Sequence, residues 1–369
     1  MRRALGLLLA AVLGVGVLTA IVVSVRSRAG DAGSQALTVV HGVIGSEKGP
    51  FFSDAQVLKD FRDHGLDVKV DVAGSRQIAT SFDLSHIDFA FPAGVPAADK
   101  IKRDRKINTS YQPFYTPMAI ASFKPIAQLL VNAGVAKDQG GYYTFDMAAY
   151  MKLVGQNARW SDLPRSAELY PGSTRSILIT STDIRTSNSA AMYLAIASYV
   201  ANGNNIVQNP AQGASVLPQV EPLFLRQGYT SNSSEGPFQD YLTIGMGKTP
   251  LVMIYEAQYV ALAAANDGSI TKDMVLMYPS PTTYSKHTLV PLTSAGDRVG
   301  RLLTSDPDLQ RLAIKYGFRT NDTAAFNKFV TAHKVVLPQT LFNVVEPPAY
   351  DALESMISTI EQHMKGVTP

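Results

Sequence analysis

Short apolar runs with strand character alternate along this chain with segments of helical spacing, and no other feature restricts the fold as much. Ala36-Leu-Thr-Val-Val-His-Gly-Val-Ile44 reads as a strand ending at Gly45, and Asp54 to Arg62 places Val57, Leu58 and Phe61 on one side of a helix. Leu66 to Val72 alternates as a strand, Ala73-Gly-Ser-Arg76 is a turn opening a short helix, and Ile87-Asp-Phe-Ala-Phe91 is a strand closed by Pro92. A second set follows: Pro117 to Phe123 as a buried strand, Ile126 to Ala133 as a helix, and Ser176 to Thr180 as a strand. The polar loop Ser181 to Asn188 then precedes an apolar helix, Ala190 to Val200, whose unpaired N–H groups such residues suit. Leu251 to Tyr255 reads as a strand leading into Glu256 and a helix through Ala264. Met274 to Tyr278 is the last strand, followed by helices around Ala295 to Leu303, Asp306 to Tyr316, Thr323 to Thr331 and Tyr350 to Met364. Asn202 to Pro218 and Gly228 to Gly236, rich in Gly, Asn, Ser and Gln, are expected to be loops. Strands alternating with helices predict an α/β fold on parallel sheet.

Nothing in the composition opposes such a fold, since 46% of the 369 residues are hydrophobic and 17% charged, enough apolar surface to bury sizeable cores. The segment Ala4 to Val25 carries no charge and is flanked by Arg2, Arg3, Arg26 and Arg28. About 20 apolar residues span a bilayer, whereas a cleavable signal has a shorter apolar region and a small-residue cleavage site, which is not evident here. Residues 1–30 therefore predict a transmembrane signal-anchor with its N-terminus inside. The body after the 31–36 linker is then expected on the outer face of the cytoplasmic membrane, or secreted if the leader is cleaved. With no cysteine, a lipid-modified cysteine, a disulfide and a thiolate site are all excluded. The four leader arginines also account for the formal charge of +3, leaving the body at −1, so no basic footprint for nucleic acid exists. Lys100, Lys102, Arg103, Arg105 and Lys106 form one basic cluster, interrupted by Asp104, that reads better as a solvated helix face than as a docking patch.

Enzyme signatures are missing. Gly245-Met-Gly-Lys-Thr249 resembles the end of a phosphate-binding loop, but Leu242 stands where its first glycine is needed. The six histidines have no metal-binding spacing, and no Gly-x-Ser-x-Gly elbow occurs. No catalytic residue, cofactor or metal is expected.

Several segments fall in a telling order: the strand before Gly45-Ser46-Glu47, then Ala73-Gly74-Ser75, Ile87-Asp88-Phe89-Ala90-Phe91-Pro92, Trp160-Ser161-Asp162-Leu163, Ser181 to Ser189, Tyr255-Glu256, and Leu309-Gln310 with Tyr316-Gly317-Phe318-Arg319. Over most of residues 37–320 this order resembles the bacterial extracellular solute-binding proteins of the type II periplasmic-binding class. The resemblance implies a two-lobed α/β clamshell, lobe one from 37–115 plus 257–369 and lobe two from 116–256, that hands a ligand to a membrane permease. Independently, strand-end loops entering helix N-termini suit a polar or anionic ligand. The candidate ligand-binding residues are Ser46, Glu47, Ser75, Arg76, Thr186, Ser187, Asn188, Ser189, Tyr255 and Glu256. Helix capping explains Ser46 and Ser75 about equally well, and Ser189 somewhat better.

The ligand is less defined than the fold. The Gly- and Ser-rich loops of phosphate-binding members are absent, and Glu47 repels a bare oxyanion unless it turns away, though Lys48 and Arg76 could offset its charge. Glu256 reads as a cleft carboxylate or equally as a solvated helix acid. A small polar ligand or an oxyanion such as sulfate, molybdate or phosphate is expected. The alternative is a surface sensor or interaction module engaging a protein through the helix near Lys102 or the loop near Asn232.

Overall fold

The computed structural model describes residues 36–228 and 230–366, so the predicted anchor at 1–30 lies outside the described residues. Among the described residues no helix is long and apolar enough to cross a membrane.

β1 (Thr38–Ile44) is the centre of the first sheet, parallel to β2 (Leu66–Val72) on one side and to β3 (Phe89–Phe91) on the other. The helix Ala55–Asp63 connects β1 to β2, started by Asp54, whose carboxylate accepts from the Gln56 N–H at 2.6 Å. β4 (Tyr111–Phe123) is longer than the predicted strand because its first half belongs to a different neighbour from its second. The last two strands, β8 (Met274–Ser280) and β9 (Tyr284–Pro291), follow one another across the same corner. Tyr111 to Pro117 pair antiparallel with β9, which in turn joins β3. Met118 to Phe123 pair with β7 (Leu251–Tyr255) and β8. The short strands β5 (Ala136–Asp138) and β6 (Tyr143–Asp146) extend β8 at the far edge. Two sheets are thus joined by a pair of neighbouring crossovers, β4 outward and β8–β9 back.

The two largest apolar clusters lie on opposite sides of these crossovers. One gathers Val40, Ile44, Phe52, Phe89, Phe91, Phe114, Leu289, Val299, Leu312 and Phe318 around β1, β3 and β9. The other gathers Ile120, Ile126, Tyr193, Ile196, Val220, Met253 and Met277 around β4, β7 and β8. The expected lobe boundaries need correction in two places. Ala257 joins the first core, but Met274 to Tyr278 belong to the second, so the chain comes back to lobe two after residue 257 and returns to lobe one again at the β8–β9 corner. The final helix, Tyr350–Gly366, also inserts Leu353, Met356, Ile357 and Ile360 into the second core. Its apolar stripe is plain in the sequence, but a stripe does not say which lobe it covers.

Three local expectations also fail. Ser176 to Thr180 forms no strand but two isolated bridges, Ser176 to Arg159 at one end and Thr180 to Val252 at the other, because its two ends meet different neighbours. The expected loop at 202–218 contains the helix Pro210–Val220. Asn209 caps it, Pro210 starts it, and Gly213 lies where a Cβ would stand 2.9 Å from Met356 Cγ, so its poor helix formers are start and packing residues. The expected loop at 228–236 likewise runs into the helix Glu235–Thr243.

Candidate functional site

The strand-end loops of the two lobes meet along one seam, and direct contacts close it. At Gly74, in an ordinary backbone conformation of φ −64°, a Cβ would lie 2.3 Å from the Thr186 carbonyl oxygen. The same oxygen accepts from the Arg76 N–H at 3.1 Å. At Gly94 (φ −143°) a Cβ would lie 2.4 Å from Asn188 Oδ1. Neither backbone needs glycine for its angles. Both positions need it because the opposite lobe lies against them. Asn188 Nδ2 then donates to the Tyr255 hydroxyl at 3.1 Å and to Ser285 Oγ at 3.3 Å, tying helix, hinge and crossover together.

Most of the predicted residues come together here. Ser75 faces inward, its Oγ accepting from the Ala93 N–H at 2.8 Å. Ser187 and Ser189 share a hydrogen bond at 3.1 Å, and Ser189 Oγ meets Thr182 Oγ1 at 2.7 Å. Arg76 and Thr186 touch across the seam, while the Arg76 guanidinium pairs with Glu354 of the final helix. A second ion pair, Arg103 with Asp351 at 3.1 Å, joins the lobes on the same side. Arg76 therefore spends its charge on closing the lobes and not on Glu47.

Glu256 corrects both readings of it: it is neither a cleft carboxylate nor a solvated acid. It is fully buried, with Arg319 Nε at 2.7 Å, Arg319 Nη2 at 2.9 Å and the Tyr278 hydroxyl donating at 2.6 Å. Phe326 lies under the guanidinium, 4.6 Å from ring centroid to Cζ. A buried pair of this kind, with its remaining groups bonded, is a structural tie between hinge and tail.

Sequence reasoning singled out Glu47 and noted that Lys48 could balance it, and the structure pairs the two behind the seam. Lys48 is fully buried, bonded to Glu47, 3.0 Å from His287 Nδ1 and 4.7 Å from the Phe91 ring centroid. His287 Nδ1 is also 3.3 Å from Glu47 Oε1. His287 was missed because it stands on β9, distant in sequence, with no motif around it. Burial pushes the Glu47 carboxyl up, but Lys48 and then His287 outweigh it and hold the pKa down at about 2. Burial and the Lys48 charge lower His287 to about 4, with Glu47 opposing only in part. Both shifts act in one direction. Below pH 6.5 the unfolded chain protonates His287 while the folded one does not, so stability falls as pH drops from 6.5 through 4. The Glu47 contribution is present above 4.5 and is lost on the way down to about 2. Denaturant melts at successive pH values should show this acid loss, with His287→Gln removing the part between pH 6.5 and 4.

Beside Ser46 and Glu47 a cavity of about 510 Å³ remains between the lobes. Its floor is the helix Glu256–Ala265 and its far wall the helix Glu235–Thr243.

No protein-family model and no curated protein matches the sequence. Solved structures match in shape. The sulfate-binding protein SubI from Mycobacterium tuberculosis superposes with a TM-score of 0.54 at 16% identity, covering 85% of this chain and 96% of that one. A periplasmic thiamin-binding protein gives 0.52 at 11% identity, covering 90% and 98%. An ABC-transporter solute-binding protein from Agrobacterium vitis, with bound D-mannitol, gives 0.50 at 12% identity, covering 89% and 99%. All three are binding proteins by name, so the likeness lends no support to an enzyme. The fold predicted from the order of strand-end loops, two α/β lobes hinged by neighbouring crossovers, is that of the periplasmic solute-binding proteins of ABC transporters.

Proposed function

We propose that this chain captures a small solute between its two lobes and delivers it to a membrane permease, held at the outer face of the cytoplasmic membrane by residues 1–30. The observation that carries the reading is the seam. Two bodies with separate cores meet through glycine-permitted contacts at Gly74 and Gly94, and a cavity remains between them. Opening about β4 and the β8–β9 corner would expose Ser46, Glu47, Ser75, Thr186, Ser187, Asn188, Ser189 and Tyr255 to one space. Arg76 would be freed from Thr186 in the same motion.

The sensor alternative draws less support. Lys100 pairs with Asp104, Lys102 with Asp99 and Arg103 with Asp351, so three of the five cations of the basic cluster are already matched by carboxylates.

Thermal melts with sulfate, molybdate, thiamin and mannitol, the solutes named for similar folds, extended to amino acids and sugars, test the capture reading. A solute at 100 times its dissociation constant adds about 2.7 kcal/mol. No stabilisation by any of them, with an unchanged scattering profile, would end it. N-terminal mass measurement on membrane-fractionated protein tests the anchor: an intact Met1 supports it, and a chain starting near residue 30 refutes it.

A further inference from the structure

Resting on the solute-capture reading, we propose that the captured solute is an organic molecule with an apolar body and a positively charged end, rather than an inorganic oxyanion. The cavity between the lobes carries this. Its floor is a face of small side chains, Ala257, Ala261 and Ala264, beside Leu262. Its walls include Phe238, Phe329 and Tyr316. Small floor residues under aromatic walls leave a slot suited to a flat or branched apolar group, and about 510 Å³ lies in the range of small-molecule sites.

Charge sets the polarity of the solute. The basic side chains lining the cavity are Lys315 and His333. The Lys315 ammonium is bonded to Asp54 at 2.9 Å, and the His333 ring donates Nδ1–H to the Phe329 carbonyl at 2.8 Å. At the seam itself Lys48 is matched by Glu47, Arg76 by Glu354 and Arg185 by Asp183. An entering oxyanion would have to desolvate against an apolar floor with Lys315, Lys48, Arg76 and Arg185 already paired with carboxylates. Of the two acids lining the cavity, one is unmatched. Glu47 lines the cavity with its carboxylate engaged by Lys48, and Glu235, exposed on the opposite wall, has no ion-pair partner among the described residues. The aromatic walls add a second attraction for a cation.

The test uses the full-length protein in nanodiscs with three probes: 2-phenylethylammonium, phenylacetate and sulfate, read by calorimetry and thermal melts. The ammonium probe should bind about tenfold more tightly than the carboxylate of the same body, and sulfate should give no response. Glu235→Gln should narrow that preference to within about threefold. Ala261→Trp, which fills the slot, should abolish binding of the ammonium probe with little change in melting temperature. Sulfate binding that survives Ala261→Trp would overturn the inference and leave solute capture standing. Tighter binding of phenylacetate than of the ammonium would overturn the charge assignment. Silence from these probes and from the wider solute panel would remove both readings.

Discussion

Gly74→Ala should lock the lobes apart without unfolding either one. The new methyl would stand 2.3 Å from the Thr186 carbonyl oxygen, a backbone atom with no side-chain freedom to yield. At φ −64° the alanine backbone is unstrained, so lobe one itself should lose nothing and the unfolded chain even loses some freedom. Solute affinity follows the fraction of molecules able to close. A loss of at least tenfold, ~1.4 kcal/mol, is expected in titration calorimetry, with melting temperature of the empty protein almost unchanged. Gly94→Ala should be milder. Its obstacle is the amide tip of Asn188, which can rotate away at the expense of its bonds to Tyr255 and Ser285. Equal affinities for wild type and Gly74→Ala would mean that the seam plays no part in holding solute.

Arg319→Leu should be the most damaging single change to stability. It leaves the Glu256 carboxylate fully buried without its cation, a situation that costs about 3–5 kcal/mol. Removing both charges together, Glu256→Leu with Arg319→Leu, should restore much of that loss, because the desolvation of the pair disappears with it. Urea unfolding curves of the single and double variants give the comparison. Solute affinity per folded molecule should stay at the wild-type value in the double variant, since the pair faces the interior. A double variant as unstable as the single one would show that the Tyr278 hydroxyl and the Arg319 Nη2 donation to the Pro338 carbonyl at 3.3 Å, not the ion pair, hold this corner.

Much of the fold was legible because it rests on local pattern. β7 was read at its observed bounds from Leu251 to Tyr255, and the long helix of lobe two was short by two residues at its start, where Asn188 and Ser189 join it. What escaped depends on distant partners. β4 continues back to Tyr111 because β9 lies beside it, and nothing near Tyr111 announces that neighbour. The final helix could have covered either lobe on its own stripe of Leu353, Met356, Ile357 and Ile360. The gathering of Ser75 and residues 186–189 at one seam, with Ser46 and Glu47 beside it, agrees with loops that run into helix N-termini. Glu256 misled because its partner Arg319 is 63 residues away, and a helix-start acid usually points to solvent. His287, Ser285 and the alanine floor had no signal of their own, since small and apolar residues on a helix read as core.

Closure of the two lobes on a solute is read from distances between spin labels on Gln56→Cys in lobe one and Ala214→Cys in lobe two. Both positions are exposed, and the absence of native cysteine makes the two labels unique. The account predicts that a solute found by the melting screen shifts the distance distribution toward its shorter component, and that Gly74→Ala retains only the longer one. One distribution, unchanged by bound solute and by Gly74→Ala, would contradict it.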